Sequence, residues 1–339
     1  MNIKPLLLAS LIIPATAMAE FENASYSYLG VGQETLEYSE STNDFGGLKF
    51  KTKYKGSNLV QKSGGYTAVG EKYGFFLSTS STLLANEERE KWRFPSIGVV
   101  QEDDMTVKRT AIDILGVFHL QNGHFFNLGS RYNSVSFSRF NFSSTDRTNE
   151  LNAAIFARAD HSDAELTKQL NDLIAKAQAA NVCITNSSKQ CIGTKQADGS
   201  YNVSLEDFKE AKKFNPEATS GVVFEDMASW SLLAGWGYDS YFIRKEIGMR
   251  YQFAFRVGTA IYESVLNTKN NKSLTRSFGG DWDLHALAGV GYQFRPEFGV
   301  MATLEYNMIH REEIRDGNVF LPVNDLKALS PQITANWAF

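Results

Sequence analysis

Two short runs carry the residues best suited to acid–base chemistry: Asp281-Trp282-Asp283-Leu284-His285 and Glu102-Asp103-Asp104. Asp283 and His285 are two apart, so an extended strand sets them on one face, where a carboxylate can orient an imidazole as a general base. Asp103 and Asp104 add carboxyls that could position a water molecule, although adjacent residues of a strand point to opposite faces. His124, His161 and His310 have no His or Cys neighbour at metal-ligand spacing, and there is no Gly-rich phosphate loop or serine nucleophile elbow. The chemistry open to this set is hydrolysis by activated water, with no metal and no cofactor. The bland alternative is that these side chains are members of a structural ion-pair network.

The elements that must hold them are strands. Alternation of apolar and polar residues recurs in ten segments, at about residues 24–39, 44–69, 73–85, 107–120, 123–142, 221–238, 241–265, 273–294, 297–312 and 325–339. Short turns at 70–72, 121–123, 239–240 and 295–297 alternate with longer segments at 40–43, 86–106, 143–220, 266–272 and 313–324, the connection pattern of a transmembrane barrel. Two further breaks, at Lys55-Gly56-Ser57-Asn58 and across Glu102-Asp103-Asp104, would raise the count to twelve. The expectation is an all-β, closed antiparallel transmembrane β-barrel of ten strands, with twelve as the alternative.

The ends supply the address. Met1 to Ala19 has Lys4, an apolar run from Leu6 to Ile13 and the small-residue site Ala17-Met18-Ala19, which together read as a secretory signal peptide. The last strand places Ile333, Ala335, Trp337 and Phe339 at alternate positions. No later stretch approaches the ~20 apolar residues of a spanning helix, so a membrane-embedded chain must cross as closed strands. Aromatic residues make up 13% of the chain, enough for girdles, and the formal net charge of -4 is too mild to imply nucleic acid. The expected divisions are 1–19 leader, 20–142 first part of the barrel, 143–220 insertion and 221–339 second part of the barrel.

Alternation also sorts side chains between lipid and lumen. Tyr241, Ile243, Ile247, Phe253, Phe255, Ile261, Phe278 and Trp282 fall on the lipid face. The lumen receives Arg109, Asp113, His119, Arg131, Arg139, Glu225, Arg244, Glu246, Arg250, Arg256, Asp281, Asp283, His285, Glu305 and Asn307. Six arginines meet six carboxylates, so the expected interior is a neutral ion-pair plug and not a charge-selective pore. In 143–220 the period changes. Ser162-Asp163-Ala164-Glu165 and Ser204-Leu205-Glu206-Asp207 are helix-start signals, and Cys183 and Cys191 between them are expected to form a disulfide in an oxidising compartment.

The leader, the alternating strands and the aromatic terminal strand together resemble Gram-negative outer-membrane β-barrels. Chain length, architecture and last strand are most similar to solitary autotransporter-type barrel domains, which usually have twelve strands, with no room for a passenger before Tyr26. The Asp283-x-His285 couple and the acids at 103–104 are also similar to the omptins, ten-stranded surface proteases, though omptin acids are spaced by one residue. The resemblance implies an integral outer-membrane protein with both termini periplasmic. Trp337 and Phe339 would be read by the barrel-assembly machinery, lipopolysaccharide would surround the wall, and the helical insertion could meet an extracellular ligand. The functions it leaves open are a structural or surface-interaction barrel, a narrow solute channel, a translocator-like barrel and a surface hydrolase.

Overall fold

A computed structural model describes residues 25–45, 48–180, 182–186, 190–197, 200–219, 221–243, 247–267, 272–316 and 319–338. The leader, Arg244, Glu246 and Phe339 therefore lie outside the described residues. The strands are β1 (Tyr26–Phe45), β2 (Leu48–Ala68), β3 (Tyr73–Leu84), β4 (Glu87–Phe94), β5 (Gly98–His119), β6 (His124–Ser144), the short pair β7 (Thr194–Lys195) and β8 (Tyr201–Asn202), then β9 (Val223–Asp239), β10 (Gly248–Asn267), β11 (Lys272–Ser277), β12 (Trp282–Arg295), β13 (Phe298–Arg311), the short pair β14 (Ile314–Asp316) and β15 (Val319–Leu321), and β16 (Val323–Ala338). Helices α1 (Thr148–Phe156), α2 (Asp163–Ala180) and α3 (Leu205–Lys212) all fall between β6 and β9. No helix among the described residues is long and apolar enough to cross a membrane.

Antiparallel pairing runs β1-β16-β13-β12-β10-β9-β6-β5-β3-β2 and returns to β1, closing a ring of ten strands. Closure leaves the ring itself with no unpaired edge among the described residues. The other two strands of the sheet stand above the ring. β4 bridges β2 and β5 over the short β3, and β11 extends the pairing of β10 beyond β12. The hairpin suspected near 94–106 thus exists, but it turns at Pro95-Ser96-Ile97, and Glu102-Asp103-Asp104 lie within β5 instead of at a turn. β2 continues unbroken through Lys55–Asn58.

Two strand readings need correction. The segment 273–294 is broken between β11 and β12, where Phe278 takes φ 52°. The turn after β9 is longer than Asp239-Ser240, because Ser240–Phe242 forms a 3-10 turn and β10 starts at Gly248. Tyr241 and Phe242 are consequently buried inside the barrel and do not face lipid. At 121–123 the expectation of a tight turn matches the backbone: Asn122 and Gly123 both have positive φ (57° and 76°), the conformation that two-residue hairpin loops require.

Along each long strand the alternation changes sense. Near the termini the outer face is apolar, with exposed Val31, Phe75, Leu128, Phe253, Phe255 and Ile333, while the inner face of β16 carries Gln332, Thr334 and Asn336. Toward the opposite end the inner face carries an apolar layer including Leu36, Tyr38, Tyr54, Met105, Val107, Phe137 and Leu326, as in a water-soluble barrel. On β10 the outward aromatic range runs from Tyr251 to Tyr262, about 36 Å of strand, or about 28 Å of height at the tilt of a barrel strand. That matches the apolar band of a transmembrane barrel.

Candidate functional site

The lumen is the place where chemistry-bearing side chains converge, at three levels. Nearest the termini, Asp239 accepts hydrogen bonds from Arg250 Nε and Nη2 at 3.0 and 2.6 Å, from the Tyr241 N–H at 3.0 Å and from the Tyr26 hydroxyl at 3.3 Å. The Arg250 guanidinium stands 4.5 Å over the Tyr26 ring and 4.7 Å over that of Tyr241, within cation–π range. Tyr66, His119, Phe125 and Phe242 complete this aromatic floor, with the Tyr66 hydroxyl against His119 Nε2.

At mid-height Arg131 grips Asp113 through both Nε and Nη2, at 2.6 and 2.8 Å, and donates to Asn307 Oδ1 at 2.8 Å. Arg256 reaches the same Asp113 at 3.3 Å, Arg109 donates to Glu34 at 2.7 Å, and Lys62 pairs with Glu305. His285 fits among them, its Nε2 3.1 Å from Glu305 and its Nδ1 3.3 Å from Arg256. The void below it, lined by Tyr28, Lys62, Tyr66, Asn127 and Arg256, measures about 40 Å³, room for roughly three waters.

At the mouth Arg139 joins carboxylates from three strands: Glu90 at 2.6 Å, Glu40 at 2.8 Å and Glu225 at 3.4 Å. Asp103 stands directly across from Glu90 and accepts from Gln101 at 3.0 Å. Beside this group Arg311 binds Glu263 at 2.5 Å and Asp283 at 2.7 Å. Arg276 binds Glu263 at 2.7 Å and also Asp281, whose carboxylate accepts the Glu312 N–H at 2.7 Å.

Every described member of the sequence-based lumen set is thus an inward side chain with an ionic or hydrogen-bonding partner. Arginine suits these positions because its planar fork engages carboxylates at two points. The balance differs from expectation, however. Among the described residues eleven buried carboxylates meet seven buried cations, and the half-buried Arg276 makes eight. Glu34, Glu40, Lys62, Glu90, Asp239, Glu263, Arg276 and Arg311 were missing from the sequence reading. Glu263 shows why: a bulge between Ala260 and Tyr262 shifts the parity of β10, so Ile261 is followed by an outward Tyr262 and an inward Glu263. Glu90 lies in the hairpin that the turn signals misplaced, and Arg311 sits at the strand end.

The four candidate catalytic residues do not form one group. Asp283 belongs to Arg311, and His285, with only 2% of its surface exposed, belongs to Glu305 and Arg256. Asp103 is inward and fully buried, whereas Asp104 faces outward against Arg89 at 3.3 Å and Asn141 at 2.8 Å. Along β5, Asp103 is ten residues above Asp113, the carboxylate that shares Arg256 with His285, or about 33 Å of strand. Among the described residues no group of three His, Cys, Asp or Glu is placed to hold a metal ion.

The insertion over 143–220 is two pieces. Helix α1 lies on the rim, its Leu151 fully buried among the inward Phe50, Phe94 and Val100. Helices α2 and α3 instead pack on each other, with Leu166, Leu170, Ile192, Val203 and Phe208 as their own core. Cys183 and Cys191 form a disulfide beside that core. Ser204 and Asp207 make a reciprocal capping box at the start of α3. The Ser204 hydroxyl and backbone N–H hold the Asp207 carboxyl below its usual range, and the hydrogen bond from Lys209 to Asp163 at 2.9 Å raises that amine and ties α3 to α2.

No protein-family model and no curated protein sequence matches this chain. Solved structures do. The outer membrane protease OmpT from Escherichia coli aligns with a TM-score of 0.55 at 10% identity, over 96% of this chain and 100% of that one. The translocator domain of the autotransporter NalP from Neisseria meningitidis gives 0.33 at 9% identity, over 93% and 88%. The transport unit of the autotransporter AIDA-I from Escherichia coli gives 0.35 at 10% identity, over 97% and 94%. At such identities the likeness is one of architecture alone: this chain has the closed antiparallel β-barrel fold of the outer membrane protease.

Proposed function

We propose that the chain is an integral outer-membrane barrel with a sealed lumen and a surface-interaction role carried by its helical insertion. The observation that carries this reading is the three-level ion-pair plug. Side chains from opposite walls meet in the lumen, and two of its voids measure only about 40 and 30 Å³. An apolar outer band of membrane height supports the location. β1 begins and β16 ends on the side of the short turns, which is the periplasmic end of such barrels, and α1–α3 then face outside the cell. In the same orientation Trp337, exposed on the last strand, stands where the assembly machinery would read it.

Planar-bilayer recording of the refolded chain tests the plug. The expected trace shows no discrete conductance steps. Stable steps whose size changes in an Arg139→Ala variant would overturn the sealed-lumen reading in favour of a channel.

A further inference from the structure

One strand of the ring crosses the apolar band with a polar outer face. Below the exposed Leu59, the successive outward positions of β2 are Gln61, Ser63, Gly65 and Thr67. Its neighbours are apolar beside them. β1 exposes Val31 and Leu29, registered with Gln61 and Ser63, and β3 exposes Leu77 and Phe75, registered with Gly65 and Thr67. The polar strip therefore lies within the band and not above it. It widens at Gln61, where Gln33 on β1 is exposed and where Thr79 and Ser81 on β3 share its face through their register with Ser63 and Gln61.

Hydrocarbon offers these groups no hydrogen bond. Gln33 donates through Nε2 to Ser57 Oγ at 2.7 Å, and Ser81 shares a hydrogen bond with Thr110 at 3.1 Å. The exposed Gln61 carboxamide has no hydrogen-bond partner among the described residues. A carboxamide carries two donors and an acceptor oxygen, so whatever covers it inside a membrane must both accept and donate. A second Gln61 does so: across a two-fold axis each side chain donates to the other and accepts from it. The surroundings match in the same way. Because barrel strands tilt, registered partners climb around the ring, and Gln33, one outward position above Val31, stands nearly level with Ser81. With the axis at Gln61, β1 of one copy lies against β3 of the other. Polar Gln33 then meets polar Ser81, and Leu29 meets Leu77.

We propose that two copies of this chain pair within the membrane through the outer faces of β1, β2 and β3, about a two-fold axis that runs along the membrane normal past Gln61. The inference rests on the membrane reading above. A two-fold contact of this kind uses the same patch on both copies and closes on itself, so the product is a dimer and not a chain of barrels. The two symmetry-related Gln61 hydrogen bonds, at the strength typical of polar contacts between membrane-embedded segments, correspond to about tenfold in the dissociation constant.

The test uses the full chain refolded into phosphatidylethanolamine/phosphatidylglycerol vesicles, with energy transfer between labelled copies followed as the protein-to-lipid ratio is raised. The expected curve saturates at two copies per assembly. Gln61→Leu should shift it about tenfold toward higher protein while keeping the heat-modifiable gel mobility of the folded barrel. Gln61→Cys should cross-link to its own copy under mild oxidation, and Phe255→Cys, exposed to lipid on another wall, should not. A chain that inserts but stays monomeric at every ratio would overturn the proposal, showing that lipid or a different protein covers the strip. So would assemblies that grow past two copies, an unshifted Gln61→Leu curve, or equal cross-linking at both cysteine positions. A chain that fails to insert into vesicles would instead overturn the membrane reading, and this contact with it.

Discussion

Arg131 and Asp113 show what one buried pair does in this lumen. Both are almost fully buried, and two parallel hydrogen bonds join them. Removing one partner strands a charge away from water, so Arg131→Met should destabilise the barrel by about 3–5 kcal/mol. Replacing both, as Arg131→Met/Asp113→Leu, should recover only part of that loss, because Arg256 then loses its carboxylate. Urea unfolding of the refolded protein reads both numbers, and a double variant no better than the single one would contradict the account. A surface carboxylate behaves differently. Asp207 has its pKa lowered by the Ser204 hydroxyl and N–H, so its contribution to α3 is fully present above the unfolded value near 3.9. It fades as pH falls through the lower folded value. Amide protection over 205–212, corrected for intrinsic exchange, should therefore drop in acid, and the drop should be absent in Asp207→Ala.

The ten strands of the ring were legible as alternation because a transmembrane wall sorts residues cleanly between lipid and lumen. Legibility ended where that physics changes. Above the apolar band the outside of the wall is wet, so Leu36, Tyr38, Met105 and Leu326 turn inward, and the inward Glu40 and Glu90 no longer stand out against an apolar outer face. The β10 bulge hid Glu263 for a different reason: a single extra residue reverses the face of everything beyond it. Deleting Ile261 would remove the bulge and still leave Ala260 inward, Tyr262 outward and Glu263 inward, so Glu263→Gln is the change that weakens the pairs with Arg311 and Arg276. The expected result is a folded form lost at lower temperature in a heat-modifiability series, and an unchanged midpoint would show that the mouth pairs contribute little. The candidate catalytic residues illustrate the remaining limit. Spacing places Asp283 and His285 on one face, but it cannot say which arginine and which glutamate will claim them from across the lumen.

At the scale of the molecule the barrel and the α2–α3 body are separate packing units, joined through α1 on the rim. The Cys183–Cys191 disulfide belongs to the smaller unit. Cys183→Ser/Cys191→Ser should leave the barrel's heat-modifiable form intact while making the segment between α2 and α3 susceptible to limited proteolysis. Loss of the barrel form in that variant would show the two units to be coupled. The junction itself is narrow. Asn152 donates through Nδ2 to the Phe214 carbonyl at 3.1 Å and accepts the Phe214 N–H at 2.8 Å, so two residues sixty-two positions apart are clipped side by side. A span whose ends are already held together can be exchanged for another of similar end spacing without asking the ring to adjust. The clip therefore makes this barrel a natural holder for foreign peptides, with residues 153–213 as the replaceable cassette.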